Sequence, residues 1–359
     1  MTRLERLLPR LSELGVDAFL VSGVENIRYL SGYTGHAAHA LVTPHGASLI
    51  TDYRYAEVAQ EDCTDFEVVI RDRATTTLPA QIAQLLDRSQ AKRVAFESEF
   101  TTVAQLEGLR AGLPQRGLEP CAGVVEALRY VKDATEIACL RRAAALADEA
   151  LAGLLRDVVR VGVSEREIAL DLEYRLQRSG SEGLSFETIL LSGPRSSLPH
   201  GAPGERRLAA GDFVLFDFGA KISGYGSDMT RTVVVGEPDE RQRAVYDTVL
   251  RAQQAALDVI APGVTGAVPY IAAREVIDAS PFAEFAGEGL GHGVGLFLHE
   301  QPLMMGADCE QVLRPGCVVT VEPGIYIPGW GGVRIEDDVE ITETGYERIT
   351  HSPRELICL

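Results

Sequence analysis

The chain has 359 residues, with 34 basic and 52 acidic side chains and a formal net charge of -18. Nucleic acids and anionic membranes bind basic surfaces, so this charge argues against both as the main partner. No apolar run is long enough to cross a bilayer, and the charged N-terminus lacks the apolar core of a secretory signal. Six cysteines without a Cys-x-x-Cys pair favour reduced thiols, so we predict a cytoplasmic protein. At roughly 150 residues per domain, the length predicts two or three domains.

Residues 1–128 alternate helix-like and strand-like segments, which is typical of an α/β or α+β domain. The predicted elements are an amphipathic helix over 4–14, a buried strand over 18–21, a hairpin formed by 40–42 and 48–50, a strand over 68–70, a helix over 78–86 and a strand over 94–96. This region therefore forms the first predicted domain.

Residues 129–359 form the second predicted domain, in which one arrangement occurs twice. A long Ala-rich helix is followed by a helix that begins after Ser164, where Glu167 completes a capping-box pattern. Asp239 opens another long helix, and Thr265 precedes a second one. Each helix pair is followed by a β region with a hairpin. We therefore predict two related halves and an α+β fold.

The first of these hairpins carries aspartates on both strands. With a turn centred between Ile222 and Ser223, Asp217 is expected to lie opposite Asp228, with Cβ atoms about 5 Å apart. Two carboxylates at that distance in an apolar sheet repel each other. Either one of them is protonated or a cation lies between them.

The second hairpin carries glutamates in corresponding places. With its turn centred at Gly329, Glu322 is expected to lie opposite Glu336, and strand alternation puts Arg334 on the same face as Glu336. His292 is a fifth candidate ligand, because the glycines of GLGHGVGL allow close backbone approach.

Four carboxylates and one imidazole suit a pair of divalent ions such as Mn²⁺, Co²⁺ or Zn²⁺. Two ions about 3.5–4 Å apart can activate a bridging hydroxide and polarise a carbonyl. Any one of these acids could be an exposed strand residue. The symmetrical placement of the whole set favours a dinuclear hydrolytic site, but spacing names neither the metal nor the substrate.

Several short motifs together resemble the metallopeptidase family that contains Xaa-Pro peptidases, methionine aminopeptidase and creatinase. They are SSLPHG, LFDFGA, SDMTRT, GHGVGL, HEQP, VEPGIY and GGVRIEDD. The resemblance covers about residues 130–359 and implies the pita-bread fold, a curved antiparallel sheet backed by two helix pairs with internal pseudo-symmetry. YLSGYTG and LITDYRYAEVA resemble the creatinase-like N-terminal domain of two-domain Xaa-Pro peptidases.

The resemblance implies a role for each candidate ligand. Asp217 matches a terminal ligand of one metal, and Asp228 and Glu336 match the bridging carboxylates. His292 and Glu322 match ligands of the second metal, and Glu322 also matches the residue that exchanges a proton with water. Mn²⁺ is the favoured ion, ahead of Co²⁺ and Zn²⁺.

Three further residues are expected to act on the substrate or to support the site. His200 and His299 match histidines that contact substrate and stabilise the tetrahedral intermediate, and Arg334 matches a supporting arginine. The implied partners are a peptide with proline at its second position and a second copy of the chain in a homodimer.

Two positions depart from the family pattern. Glu288 occupies a place where many Xaa-Pro aminopeptidases have histidine, and Leu303 a place where many dipeptidases have arginine. The missing arginine favours an Xaa-Pro aminopeptidase over a dipeptidase. A creatinase-type amidinohydrolase and a non-catalytic binding protein of the same fold remain alternatives, although retention of all five ligands argues against both.

Overall fold

The computed structural model describes residues 2–359, and the chain divides into two compact units between Arg129 and Tyr130. Both units combine helices with β-sheets, which confirms the predicted α+β fold class. No helix among the described residues combines the length and the apolarity needed to span a bilayer.

The first unit is built around a six-stranded mixed sheet. Its strands are β1 (Ala18–Val21), β2 (His39–Thr43), β3 (Gly46–Thr51), β4 (Glu67–Ile70), β5 (Arg93–Glu97) and β6 (Gly117–Cys121). Its helices are α1 (Arg3–Leu14), α2 (Val24–Ser31), α3 (Ala56–Asp62), α4 (Leu78–Ser89), α5 (Val103–Gly112) and α6 (Glu126–Arg129). In the order β4-β3-β2-β1-β5-β6, β2 runs antiparallel to both neighbours and the other pairs are parallel.

The second unit repeats one order of elements, a helix pair followed by strands that include a hairpin. Its helices are α7 (Ala134–Asp157), α8 (Glu165–Arg178), α9 (Glu240–Val259) and α10 (Ala267–Asp278). Its strands are β7 (Ile189–Ser192), β8 (Phe213–Phe218), β9 (Lys221–Ile222), β10 (Tyr225–Gly226), β11 (Met229–Val234), β12 (Gly291–Gly293), β13 (Glu300–Met305), β14 (Val318–Val321), β15 (Gly324–Ile327), β16 (Gly331–Arg334), β17 (Asp337–Ile341) and β18 (Tyr346–Arg348). The strand pairs of this unit are antiparallel.

Each helix pair shares a hydrophobic core with the strands that follow it. Leu151 of α7 and Leu172 of α8 are buried with Phe216 of β8. In the second half, Val249 of α9 is buried in one cluster with Val319 of β14. Burial of one such side chain stabilises the fold by about 1.5–3 kcal/mol. These cores therefore fix the hairpin strands against the helices.

The helix α8 begins with the predicted capping box. Ser164 Oγ accepts a hydrogen bond from the Glu167 backbone N–H at 3.2 Å, and the Ser164 N–H donates to the Glu167 carboxylate at 2.8 Å. Two backbone N–H groups that would lack partners at the helix start are thereby satisfied.

Replacing Ser164 with alanine is expected to lower the free energy of unfolding by about 1 kcal/mol, because the helix loses its N-cap. In a unit of this size the expected fall in Tm is about 2–4 °C, measurable by calorimetry. Ser179→Ala is the matched control, since Ser179 is exposed at the other end of α8. Equal melting shifts in the two variants would contradict the capping role.

The first hairpin differs from its predicted register by two residues. Ile222 pairs with Tyr225, so the turn is centred between Ser223 and Gly224, and Asp217 lies opposite Thr230. Both turn residues have positive φ, 49° and 80°, as a type I′ turn requires, and Gly224 adopts this conformation without strain. The predicted pairing of Asp217 with Asp228 is therefore wrong, but a shift of two residues keeps both on one face.

The second hairpin has the predicted register but is divided between two sheets. Val321 pairs with Asp337 in one sheet, and Gly324 pairs with Arg334 in the other. The Glu322 and Glu336 backbones lie at the break between these ladders, and their N–H groups donate to Leu290 and Thr230 respectively. The break brings the first hairpin and the loop before β12 against the two glutamates.

Candidate metal centre

The sequence-predicted site residues line one cleft in the second unit, with a volume of about 1630 Å³. They are Asp217, Asp228, His292, Glu322 and Glu336 as predicted ligands, with His200, His299 and Arg334 as predicted catalytic or supporting residues. Residues far apart in sequence thus meet at one place, where the two related halves contribute comparable hairpins.

His292 lies at the centre of the acidic cluster. One ligand atom each from Asp228, His292 and Glu336 falls within 4.8 Å of the others, and all three side chains are buried. His292 Nε2 is 3.5 Å from an Asp228 oxygen and 3.4 Å from a Glu322 oxygen. His292 therefore lies close to three of the other four predicted ligands.

The imidazole of His292 is oriented for ligation through Nε2. Its Nδ1 is 2.9 Å from the Gly293 carbonyl oxygen, which can only accept, so Nδ1 carries the proton and Nε2 presents its lone pair to the acids. Thr320 Oγ1 accepts from the His292 backbone N–H and donates to Glu322, each at 3.0 Å. Thr320 thus fixes the positions of two predicted ligands, His292 and Glu322.

Thr230 joins the predicted ligand Glu336 to the supporting residue Arg334. Its hydroxyl donates to Glu336 at 2.6 Å and accepts from Arg334 Nε at 2.9 Å. Arg334 also donates to Asp217 and, at 2.8 Å, to the Tyr326 hydroxyl. Asp217, the fifth predicted ligand, is therefore held by Arg334 and faces Thr230 across the hairpin.

Sequence reasoning missed three residues that support this geometry. Thr230 and Thr320 each lie two residues from a predicted ligand, so strand alternation could have placed both on the ligand face. Asp338 is buried and accepts a hydrogen bond from the Asp228 backbone N–H at 2.9 Å. Only the fold reveals this contact, because it joins two hairpins.

The predicted ligands offer oxygen atoms suited to a divalent cation. Asp217 Oδ1, Asp228 Oδ1 and Glu336 Oε1 are buried and have no hydrogen-bond partner among the described residues. Leaving such an acceptor unsatisfied costs about 1–3 kcal/mol, and more for a charged group. Carboxylate oxygens with one imidazole nitrogen form a donor set for borderline metals, so the residues present fit divalent metal.

Burial and like charge shift the proton affinities of this cluster. Burial, reinforced by neighbouring carboxylates, raises the pKa of Asp228 and of Glu336 well above the usual range. Burial raises the pKa of Glu322 to about 7, and the positive charge of Arg334 opposes this rise. Burial lowers the pKa of His292, which favours the neutral ring that binds metals. A divalent cation relieves such repulsion by favouring the ionised carboxylates.

His200 and His299 lie outside the acidic cluster but face the same cleft. Both side chains are exposed, and the His299 ring packs edge-on against His292 with centroids 4.3 Å apart. Burial and the neighbouring His292 lower the pKa of His299. These positions suit contact with a substrate that lies over the cluster.

The two departures from the family pattern lie in different environments. Glu288 is exposed and lines the cleft. Leu303 is fully buried in the hydrophobic core of the second unit and does not line the cleft. The interpretation of Leu303 as the place of a missing carboxylate clamp is therefore wrong, because strand β13 directs this side chain into the core and exposes Met304 instead.

The chain is similar to known proteins over nearly its whole length. Residues 138–343 match Metallopeptidase family M24, and residues 3–131 match the Creatinase/Prolidase N-terminal domain. The chain is 40% identical to the uncharacterised peptidase YqhT of Bacillus subtilis, covering 99% of this chain and 100% of that protein.

Two solved structures are similar over nearly the whole chain. One is an Xaa-Pro dipeptidase from Bacillus anthracis, with a TM-score of 0.95, 39% identity and 99% of each chain covered. The other is an X-Pro aminopeptidase from Thermotoga maritima, with a TM-score of 0.91, 35% identity and coverage of 99% of this chain and 100% of that one.

A buried cluster of carboxylates around one imidazole, on an α+β scaffold of two related halves, suits a hydrolase that works with divalent metal. The chain belongs to metallopeptidase family M24, with a creatinase-like N-terminal domain.

Proposed function

We propose that the protein hydrolyses the Xaa-Pro bond at the N-terminus of peptides, using two divalent ions held by five residues. These residues are Asp217, Asp228, His292, Glu322 and Glu336. The observation that carries the proposal is the group of unpartnered carboxylate oxygens around His292 Nε2. The names of the similar solved structures support the Xaa-Pro specificity.

The metals, when bound, would activate a water molecule and polarise the scissile carbonyl. Glu322 has a pKa raised to about 7 and is suited to accept a proton from that water and deliver it to the proline nitrogen. His299 and His200 would donate hydrogen bonds to the developing oxyanion. Arg334 would keep Asp217 in place through their direct contact.

The structure of the Xaa-Pro bond explains why a site that acts on the carbonyl oxygen suits this substrate. An Xaa-Pro amide has no N–H, and its φ is fixed by the ring. Enzymes that bind the substrate as an extra β-strand lose one hydrogen bond at that residue. A site that recognises the carbonyl oxygen and the free amine does not depend on the missing N–H.

The charges that line the cleft support a preference for peptides longer than two residues. Arg334 is the one lysine or arginine among the described residues that line it, and Asp217, Thr230 and Tyr326 already bind its guanidinium. A dipeptide places its carboxylate directly on proline, and burying that charge without a partner costs several kcal/mol. We therefore propose an aminopeptidase, with an Xaa-Pro dipeptidase on the same scaffold as the alternative.

Matched substrates separate these two activities. For Ala-Pro, Ala-Pro-amide and Ala-Pro-Ala, the expected kcat/KM of the tripeptide and of the amide exceeds that of the dipeptide at least about tenfold, or 1.4 kcal/mol. The amide is the control, since it has the size of the dipeptide without its charge. A tenfold advantage for the free dipeptide would contradict the aminopeptidase proposal and indicate a carboxylate-binding group.

The family resemblance also leads us to propose Mn²⁺ as the native ion, a homodimer and a cytoplasmic location. Elemental analysis of protein purified without added metal tests the ion. Light scattering coupled to size-exclusion chromatography tests the dimer, and a monomer at all concentrations would contradict it.

A further inference from the structure

A buried ion pair lies behind the loop that carries His299. Lys132 Nζ is 2.7 Å from Glu300 Oε2, and each side chain is only 2% exposed. Neither residue lines the cleft. A buried ion pair adds little net stability, because removing both charges from water offsets their attraction. Breaking the pair by removing one partner is costly, however, so the contact fixes the position of both residues.

The Glu300 carboxylate also closes the loop formed by residues 294–299. Its Oε1 accepts a hydrogen bond from the Leu296 N–H at 3.2 Å and a longer one from the Phe297 N–H at 3.5 Å. Gly295 allows this approach, because a Cβ atom there would lie 2.2 Å from Glu300 Oε2. The carboxylate therefore fills the concave side of the loop and binds its backbone.

Two backbone hydrogen bonds attach the start of the loop to neighbouring segments. The Val294 N–H donates to Val318 at 3.1 Å, and the Gly226 N–H donates to Gly295 at 2.9 Å. Both lie at the start of the loop. At its other end the loop is held by Glu300, beside a hydrogen bond between the Leu298 backbone and the His292 ring. His299 comes directly before Glu300 and is exposed to the cleft, whereas Glu300 is buried on the opposite side.

We propose that Lys132 and Glu300 are positioning residues, which anchor the 294–299 loop and thereby hold His299 over the acidic cluster. This inference rests on the proposed function, in which His299 acts on the substrate. The ion pair acts only through the loop, since neither charged group reaches the cleft. The position of the His299 ring against His292 depends on this anchor.

The test combines Glu300→Gln, Lys132→Met and the double variant. Either single change leaves one buried charge unpaired, so the loop loosens. Hydrogen–deuterium exchange of the 294–299 amides is expected to accelerate at least about tenfold, with metal content unchanged. We expect kcat to fall about tenfold to a hundredfold, the scale of a misplaced catalytic group, while KM changes little.

The double variant Lys132→Met/Glu300→Gln removes the ion pair without leaving a buried charge that could unfold the protein. No unpaired charge remains in it, and the amide oxygen of the introduced glutamine can still accept hydrogen bonds from the loop. It is expected to recover slow exchange and most of kcat. Arg206→Met is the matched control, since it breaks a different ion pair, with Asp212, away from the cleft. This control should leave exchange in the 294–299 loop unchanged.

A double-mutant cycle separates positioning from a merely structural role. If Glu300 acts through His299, then Glu300→Gln has no further effect on kcat in a His299→Ala background. The same fold-loss in both backgrounds, or unchanged exchange in the loop, would overturn the inference. A His299→Ala variant with unchanged kcat would instead overturn the role of His299 in the proposed function, and accelerated exchange would still support the anchor.

Discussion

Asp228→Ala is expected to abolish both metal binding and peptide hydrolysis. Asp228 lies within 4.8 Å of the ligand atoms of His292 and Glu336, and its Oδ1 has no hydrogen-bond partner among the described residues. The family resemblance makes it a bridging ligand, so its loss would disrupt both ions. We expect kcat/KM to fall more than about a thousandfold, above the loss caused by removing one preorganised group.

Asp212→Asn is the matched control for this variant. Asp212 is also buried in the second unit, but it pairs with Arg206 and does not line the cleft. Its replacement is expected to reduce thermal stability without changing the metal content. Elemental analysis and kcat/KM of both variants measure the difference, and full activity of Asp228→Ala would refute the hydrolytic site.

The second large effect concerns the two cleft histidines. His200→Ala and His299→Ala are each expected to lower kcat by about a hundredfold, the loss that follows removal of one preorganised hydrogen-bond donor. Both side chains are exposed to the cleft and lie outside the acidic cluster. The metal content of both variants should therefore stay close to that of the native protein.

His351→Ala is the control for general effects of losing a histidine, since His351 is exposed in the same unit and does not line the cleft. Its kcat should match that of the native protein. If His200→Ala or His299→Ala loses metal, that histidine is a ligand and its proposed role is wrong.

Local chemistry made parts of the fold predictable from sequence. Ser164 with Glu167, and Asp239 before its helix, gave correct helix starts because capping depends on neighbours a few residues apart. The register around Gly329 was also predictable, since the strands on both sides follow one turn. The same local reasoning missed α5, although Thr102 and Gln105 form a capping box there.

The remaining errors arose where tertiary contacts or turn geometry decide the outcome. The first hairpin turns at Ser223–Gly224, and recognition of the type I′ signal would have given its register. Leu303 could not be assigned to the core from its motif, because the irregular pairing of β12 with β13 determines which side chains reach the cleft. The contact of Asp338 with Asp228 likewise depends on two hairpins meeting.

Metal dependence of peptide hydrolysis tests the central claim most directly. The rate of Ala-Pro-Ala hydrolysis is measured for the purified protein, after removal of metal with a chelator, and during titration with Mn²⁺. The proposed site predicts that activity disappears with the metal and returns to its full value at two ions per chain. Undiminished hydrolysis by metal-free protein, or no hydrolysis of any Xaa-Pro peptide with both ions bound, would contradict it.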